Sequence, residues 1–186
     1  MNLQQIQNEK KYDTDKQCRH GYLAIYDLIL ASYQKPGTKL LELGVMRGGS
    51  LLLWHDWIPE GLVYGVDIKP YDAPLPLGAA FIQTNYTIPQ GADSIKTHGP
   101  FDIIVDDASH RLKDQRAGAI LFFLDALKPG GMYIIEDCEE EVESKKDYEN
   151  IFLPYSDHVE WAVWIDLRFG KRHRTDALLY VVKKKA

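Results

Sequence analysis

The stretch from Lys39 to Leu53, Lys-Leu-Leu-Glu-Leu-Gly-Val-Met-Arg-Gly-Gly-Ser-Leu-Leu-Leu, constrains this chain more than any other. Leu40, Leu41 and Leu43 predict a short buried strand, Gly44, Gly48 and Gly49 a loop, and the residues from Ser50 onward a helix. A glycine loop between strand and helix lets bare backbone approach a ligand while the first helical N–H groups point at it. Gly44 and Gly48 are four residues apart, which departs from the G-x-G-x-x-G spacing of a dinucleotide fold. Glu42 sits inside the strand end, where an unpaired carboxylate would be costly, so a partner is expected for it.

Composition narrows the class. A chain of 186 residues, 26% charged and 45% hydrophobic, is expected to form one globular domain over residues 1–186, with 1–20 as an N-terminal arm. No apolar run approaches the roughly 18 residues of a membrane span, so no membrane partner is expected. Residues 1–11 are polar and read as frayed, without the apolar region of a secretory signal. Cys18 and Cys138 make neither a disulfide framework nor a zinc spacing, and a cytoplasmic location is expected. The net charge of −5 argues against nucleic acid as a partner. The one basic cluster, at 171–174, reads as a solvated turn, and the acidic run at 139–143 as a solvated face. Homo-oligomerisation is left open.

Taken in order, helical spacing of Leu23, Ile25, Tyr26, Ile29 and Leu30 predicts a helix over 22–33, ended by Pro36 and Gly37. Strands follow at 62–66, 79–83, 101–105 and 132–135, with helices over 50–57, 88–97, 115–127 and 145–152 between or after them. Two last strands, 159–167 and 177–183, flank a reversal containing Gly170 and read as an antiparallel hairpin. Alternating strands and helices predict a mostly parallel sheet with helices on both faces, whose ligands bind beyond the carboxyl ends of the strands. The acids collect there: Glu42, Asp67, Asp106, Asp107, Glu136 and Asp137 each end or follow a strand.

Asp67, about 20 residues past the glycine loop, is placed to accept hydrogen bonds from ribose hydroxyls. Two acidic pairs at adjacent strand ends, Asp106-Asp107 and Glu136-Asp137, would repel unless neutralised, and a hard cation such as Mg²⁺ removes that penalty. His110, three residues past Asp107, can face the same ion or its substrate and suits general-base work. Trp54, Trp57, Trp161 and Trp164 read as core or interface aromatics.

The register of Glu42, Gly44 and Gly48 resembles motif I of the class I S-adenosylmethionine-dependent methyltransferases, and the closing hairpin resembles their version of the fold. The resemblance narrows at Phe101-Asp-Ile-Ile-Val-Asp-Asp-Ala-Ser-His110, at Leu127-Lys-Pro-Gly-Gly-Met-Tyr-Ile-Ile-Glu-Asp137, and at Tyr12-Asp-Thr-Asp-Lys16 with His20-Gly-Tyr22. These segments are similar to the metal-dependent sugar O-methyltransferases of macrolide and polyketide biosynthesis. That group includes the mycinamicin and tetracenomycin rhamnose 2-O-methyltransferases and the macrocin O-methyltransferase-like enzymes.

The resemblance implies a Rossmann-like α/β fold with a mostly parallel seven-stranded sheet. It implies S-adenosyl-L-methionine and Mg²⁺ as cofactors and a small-molecule or glycoside acceptor. Asp107, Glu136 and Asp137 would hold the metal, and His110 would be the base beside Asp107. Glu42, Gly44, Gly48, Ser50, Asp67, Asn85 and Asp106 make the expected cofactor-binding set. Asn85 stands where the family usually has an acid that meets the adenine amino group, and Ala108 where it has Gly. Some relatives carry a further N-terminal domain, which is not expected here. The arm, through Asp15, Lys16, His20 and Tyr22, is expected to close over the cofactor. The competing readings are a metal-independent methyltransferase, a nicotinamide-dependent oxidoreductase and a non-catalytic binding module.

Overall fold

The computed structural model describes residues 1–138, 142–168 and 177–186, with side chains omitted at 142–144. The basic turn at 171–174 and the acidic run at 139–143 lie outside the described residues or side chains. Seven strands form one sheet in the order β3-β2-β1-β4-β5-β7-β6. They are β1 (Lys39–Leu43), β2 (Leu62–Asp67), β3 (Ala79–Gln83), β4 (Phe101–Asp106), β5 (Leu127–Ile135), β6 (Val159–Asp166) and β7 (Leu178–Lys184). The first five pair in parallel, and β7 inserts antiparallel between β5 and β6. Strand order reverses between β1 and β4, which places a crevice at their carboxyl ends.

Helices α1 (Leu3–Lys10), α2 (Tyr22–Ile29) and α3 (Gly49–Trp57) cover one face, and α4 (Pro89–Lys96), α5 (Leu112–Phe122) and α6 (Val142–Phe152) the other. The strand period of two sorts the core between them. Leu40, Ile103, Val105, Met132 and Ile134 pack with Tyr22, Tyr26, Trp54 and Trp57. Leu41, Leu43, Ile104, Tyr133 and Ile135 pack with Ala119, Phe122 and Tyr148. Continuing the alternation one step past the core puts Glu42, Asp107 and Glu136 on the α1–α2–α3 side and Asp106 on the opposite side.

Three expectations are corrected. Residues 1–11 are not frayed: Asn2 and Gln5 form a reciprocal capping box that starts α1, and Leu3 and Ile6 are buried. Asp27 of α2 accepts from the Leu3 backbone N–H at 2.6 Å, tying the two helices together. The helix expected over 22–33 ends at Ile29 and continues as a 3₁₀ turn, Ala31–Tyr33. The helix expected over 115–127 starts and ends earlier, and β5 begins at Leu127. Phe101 pairs with Leu127 but Ile103 with Met132, so a bulge absorbs the Pro129-Gly130 segment that reads as a helix stop. Among the described residues no helix is long and apolar enough to cross a membrane.

Candidate active site

Lys16 is the centre of the site. It lies in the turn between α1 and α2, is 1% exposed, and places Nζ 2.6 Å from Asp107 Oδ2, 2.7 Å from Glu136 Oε1 and 3.4 Å from Glu42 Oε1. Burial works against an ammonium there, yet Asp107, Glu136 and Glu42 outweigh it and hold its pKa well above the ordinary lysine value. The acids behind it accept further hydrogen bonds. Glu42 Oε2 accepts from Ser50 Oγ at 2.8 Å, and its Oε1 from Trp54 Nε1 at 3.1 Å. Glu136 Oε1 also accepts from the Tyr26 hydroxyl at 2.7 Å. Burial pushes the carboxyls of both Glu42 and Glu136 up, with Lys16 opposing.

On the open side of this closed cluster, Asp107, His110 and Asp137 bring one donor atom each within 4.8 Å of one another. His110 Nε2 is 3.1 Å from Asp107 Oδ1 and 3.5 Å from Asp137 Oδ2. His110 and Asp137 both adopt left-handed backbone, φ 57 and 51, which turns their side chains back toward the strand ends. The other oxygen of Asp137 accepts from the Tyr22 hydroxyl at 2.5 Å and lies 3.2 Å from His20 Nδ1. Its hydrogen bond to Asp107, with Asp137 adding to it, raises the His110 pKa against the effect of burial. Asp107 is held low despite burial because Lys16 and His110 flank it. Asp137 is raised by burial and by Asp107. Two hard carboxylate oxygens beside an imidazole suit a divalent cation, so the residues present fit the expected metal. Of the three acids expected to ligate it, Asp107 and Asp137 are brought to this group, while Glu136 is turned to Lys16 and Tyr26.

The expected cofactor residues divide. Asp67 ends β2 beside the glycine loop and is partly exposed. Its Oδ2 accepts from the Val45 and Met46 amides at 3.0 and 3.2 Å, and its Oδ1 from Lys69 N at 2.9 Å. Burial raises its pKa, but these backbone donors outweigh that and hold it low. Glu42 and Ser50 are buried against each other behind the loop rather than on its surface. Asn85 Oδ1, the oxygen expected to meet adenine, accepts from both the amide and the hydroxyl of Thr87, at 3.0 and 2.8 Å, and closes a turn. Asp106 is not brought to the pocket: its carboxylate is fully buried toward Tyr86 and Tyr133.

The glycines also prove to serve the chain itself. A Cβ on Gly44 would meet the Asp107 carbonyl at 2.1 Å, one on Gly48 the Tyr71 ring and hydroxyl at 2.4–2.6 Å, and one on Gly49 the Asp13 carbonyl at 2.1 Å. The loop therefore supports close approach of β4, Tyr71 and the arm.

Tyr26 and Trp54 were not in the expected site. Tyr26 reads as one of a helix's apolar face, and Trp54 as a core aromatic. The signal lies in helical spacing: Tyr26 follows Tyr22 by four residues and Trp54 follows Ser50 by four, so each pair projects polar atoms from one face toward the acids.

The architecture can now be set beside known proteins. No family model matches the chain. Mycinamicin VI 2''-O-methyltransferase from Micromonospora griseorubida is 33% identical over 126 residues, 63% of this chain and 31% of that protein. Ribosomal RNA large subunit methyltransferase E from Syntrophobacter fumaroxidans is 34% identical over 113 residues, 54% of this chain and 57% of that protein. Among solved structures, MycE methyltransferase from the mycinamycin biosynthetic pathway, in complex with Mg and SAH, superposes on all of this chain and 55% of its own, with TM-score 0.81 and 24% identity. A second structure of it, which also holds mycinamycin VI, gives TM-score 0.80 and 25% identity. The fold is that of the class I methyltransferases. The superposition covers this chain's seven-stranded sheet with its C-terminal antiparallel hairpin. The chain spans about a third of the length of the sugar O-methyltransferase it matches.

Proposed function

We propose that this chain is an S-adenosylmethionine-dependent O-methyltransferase acting on a sugar hydroxyl of a glycoside, with Mg²⁺ as a second cofactor. The observation that carries the reading is the convergence of Asp107, His110 and Asp137 beside the glycine loop. The similarity to sugar O-methyltransferases over 63% of the chain supports the acceptor class, and the MycE complexes with Mg and SAH support the cofactors.

Asp107 Oδ1 and Asp137 Oδ2 would hold the metal, which when bound makes an acceptor hydroxyl more acidic. The sulfonium of S-adenosylmethionine supplies an activated methyl group, so no covalent enzyme intermediate is needed. The chain's own groups do the rest. Asp67 would receive the ribose hydroxyls of the methyl donor. His110 would take the acceptor proton on Nδ1, because Nε2 donates to Asp107 Oδ1, contributing about 10²–10⁴-fold. Asp107, 3.1 Å away, orients that ring and stabilises the imidazolium formed. The arm, held by Lys16 and by Asp13 against Gly49, would exclude water from the cleft.

A thermal-shift screen tests the reading. S-adenosylhomocysteine should raise the melting temperature, by the equivalent of about 2.7 kcal/mol at a hundredfold excess over Kd. NAD should leave it unchanged. A shift with NAD and none with S-adenosylhomocysteine would overturn it. A second reading, a metal-independent small-molecule methyltransferase, draws on Lys16, which already neutralises part of the acid cluster without an ion. Excess EDTA separates the two, since only the metal-independent enzyme keeps its turnover.

A further inference from the structure

The acid cluster carries a counter-charge built into the chain. Lys16 reaches it from a turn fixed by its own backbone: its carbonyl accepts from Tyr22 N at 2.7 Å, at the start of α2. Its side chain is 1% exposed and its ammonium touches Asp107, Glu136 and Glu42. Asp107 is therefore shared. Its Oδ2 belongs to Lys16 at 2.6 Å, and its Oδ1 faces His110 and the open group with Asp137. A cation drawing on Asp107 from the open side must share that carboxylate with the ammonium and is repelled by it.

We propose that Lys16 sets the metal affinity of the site: its ammonium weakens the hold of Asp107 and Asp137 on a divalent cation. The proposal rests on the functional reading above and deepens it by naming the residue that regulates the metal. Lys16 would be a positioning and affinity-setting residue rather than a catalytic one. A purely structural lysine, needed only to neutralise Glu42 and Glu136, would alter stability without altering how the open group binds a cation.

Mn²⁺ is a suitable probe because its free concentration is read directly by electron paramagnetic resonance. It would be titrated into the full chain without acceptor, for the wild type, Lys16→Met and Lys16→Arg. Lys16→Met should bind Mn²⁺ about tenfold more tightly or better, from loss of the repulsion and release of Asp107 Oδ2. Lys16→Arg, which keeps the charge, should remain near the wild type. Equal or weaker binding by folded Lys16→Met would overturn the proposal.

Should Lys16→Met not fold, the comparison moves to Glu136→Gln and Lys16→Met/Glu136→Gln, where a buried carboxylate is removed together with the ammonium. The double variant should bind Mn²⁺ more tightly than Glu136→Gln, and equal affinity would again overturn the proposal. If no variant binds Mn²⁺ while S-adenosylhomocysteine still raises the melting temperature, the metal clause of the functional reading falls and takes the proposal with it. If all bind equally, the proposal alone falls.

Discussion

Asp106 and Asp107 are neighbours with the same side chain, and the fold places them in opposite electrostatic settings. Asp106 faces the α4–α5–α6 layer with no exposure, accepting from the hydroxyls of Tyr86 at 3.3 Å and Tyr133 at 3.5 Å. Burial pushes its carboxyl up to about 7, with the Tyr86 hydrogen bond opposing and Asp107 adding. Asp107 faces the α1–α2–α3 layer, lies between Lys16 and His110, is 21% exposed at its side chain, and is held low. The strand period of two separates them, and the arm then supplies the charge that holds Asp107 low while burial holds Asp106 high. The counter-charge that holds Asp107 low thus comes from a residue 91 positions away in the sequence.

Gly44 is where the comparison breaks most severely, because it makes room for the Asp107 turn. Gly44→Val would drive Cβ into the Asp107 carbonyl while holding φ near +94. A stability loss of about 3 kcal/mol or more is expected, from left-handed strain and overpacking together. Denaturant unfolding would measure it, and a near-wild-type midpoint would deny that the glycine serves the β1–β4 approach.

Paired substitutions test the two acids directly. Asp107→Asn should lower turnover by about 10²-fold or more, through loss of the base's partner and of the metal. Asp106→Asn should leave turnover within a small factor. Steady-state kinetics on both proteins would reverse the assignment if Asp106→Asn were the more damaging.

A smaller effect belongs to the support behind the cluster. Tyr26→Phe removes the hydroxyl that Glu136 accepts at 2.7 Å. The buried carboxylate loses a donor, and stability should fall by about 1.5–3 kcal/mol, the range for a hydrogen bond to a charged group. Calorimetric unfolding at neutral pH reads this, and an unchanged protein would mean that Lys16 alone suffices.

A further effect is in the pH profile. Asp106 binds its proton up to about pH 7 when folded but only up to the ordinary carboxylate range when unfolded. Between those values the native state holds more protons, so this contribution to stability falls as pH rises through the window. Asp106→Asn should remove that part of the slope. An identical pH dependence in wild type and variant would show that the carboxyl is not raised.

Much of this was legible in the sequence because strand-end acids and a glycine loop follow local rules. The sheet, its hairpin and the positions of Glu42, Asp107, Glu136 and Asp137 at strand ends all come from short-range pattern. Less legible was the direction each side chain takes. The alternation that sends Asp106 away from Asp107 is readable in principle, but only once the last core residue of each strand is known. Asn85 satisfies its oxygen within its own turn, which a family position does not reveal. Lys16 lies far from the acids in sequence, and no local spacing pairs it with Asp107, Glu136 and Glu42. Polar residues 1–11 read as frayed because α1 is held by two buried side chains, a capping box and a contact to Asp27, which composition averages away.

The central claim is metal-assisted methyl transfer at the Asp107–His110–Asp137 group. Its most direct test is transfer of a labelled methyl group from S-adenosylmethionine to a panel of deoxysugar glycosides, with and without excess EDTA. Transfer that EDTA abolishes and added Mg²⁺ restores is the predicted result. Full turnover in excess EDTA would contradict the metal, and the metal-independent reading would replace it.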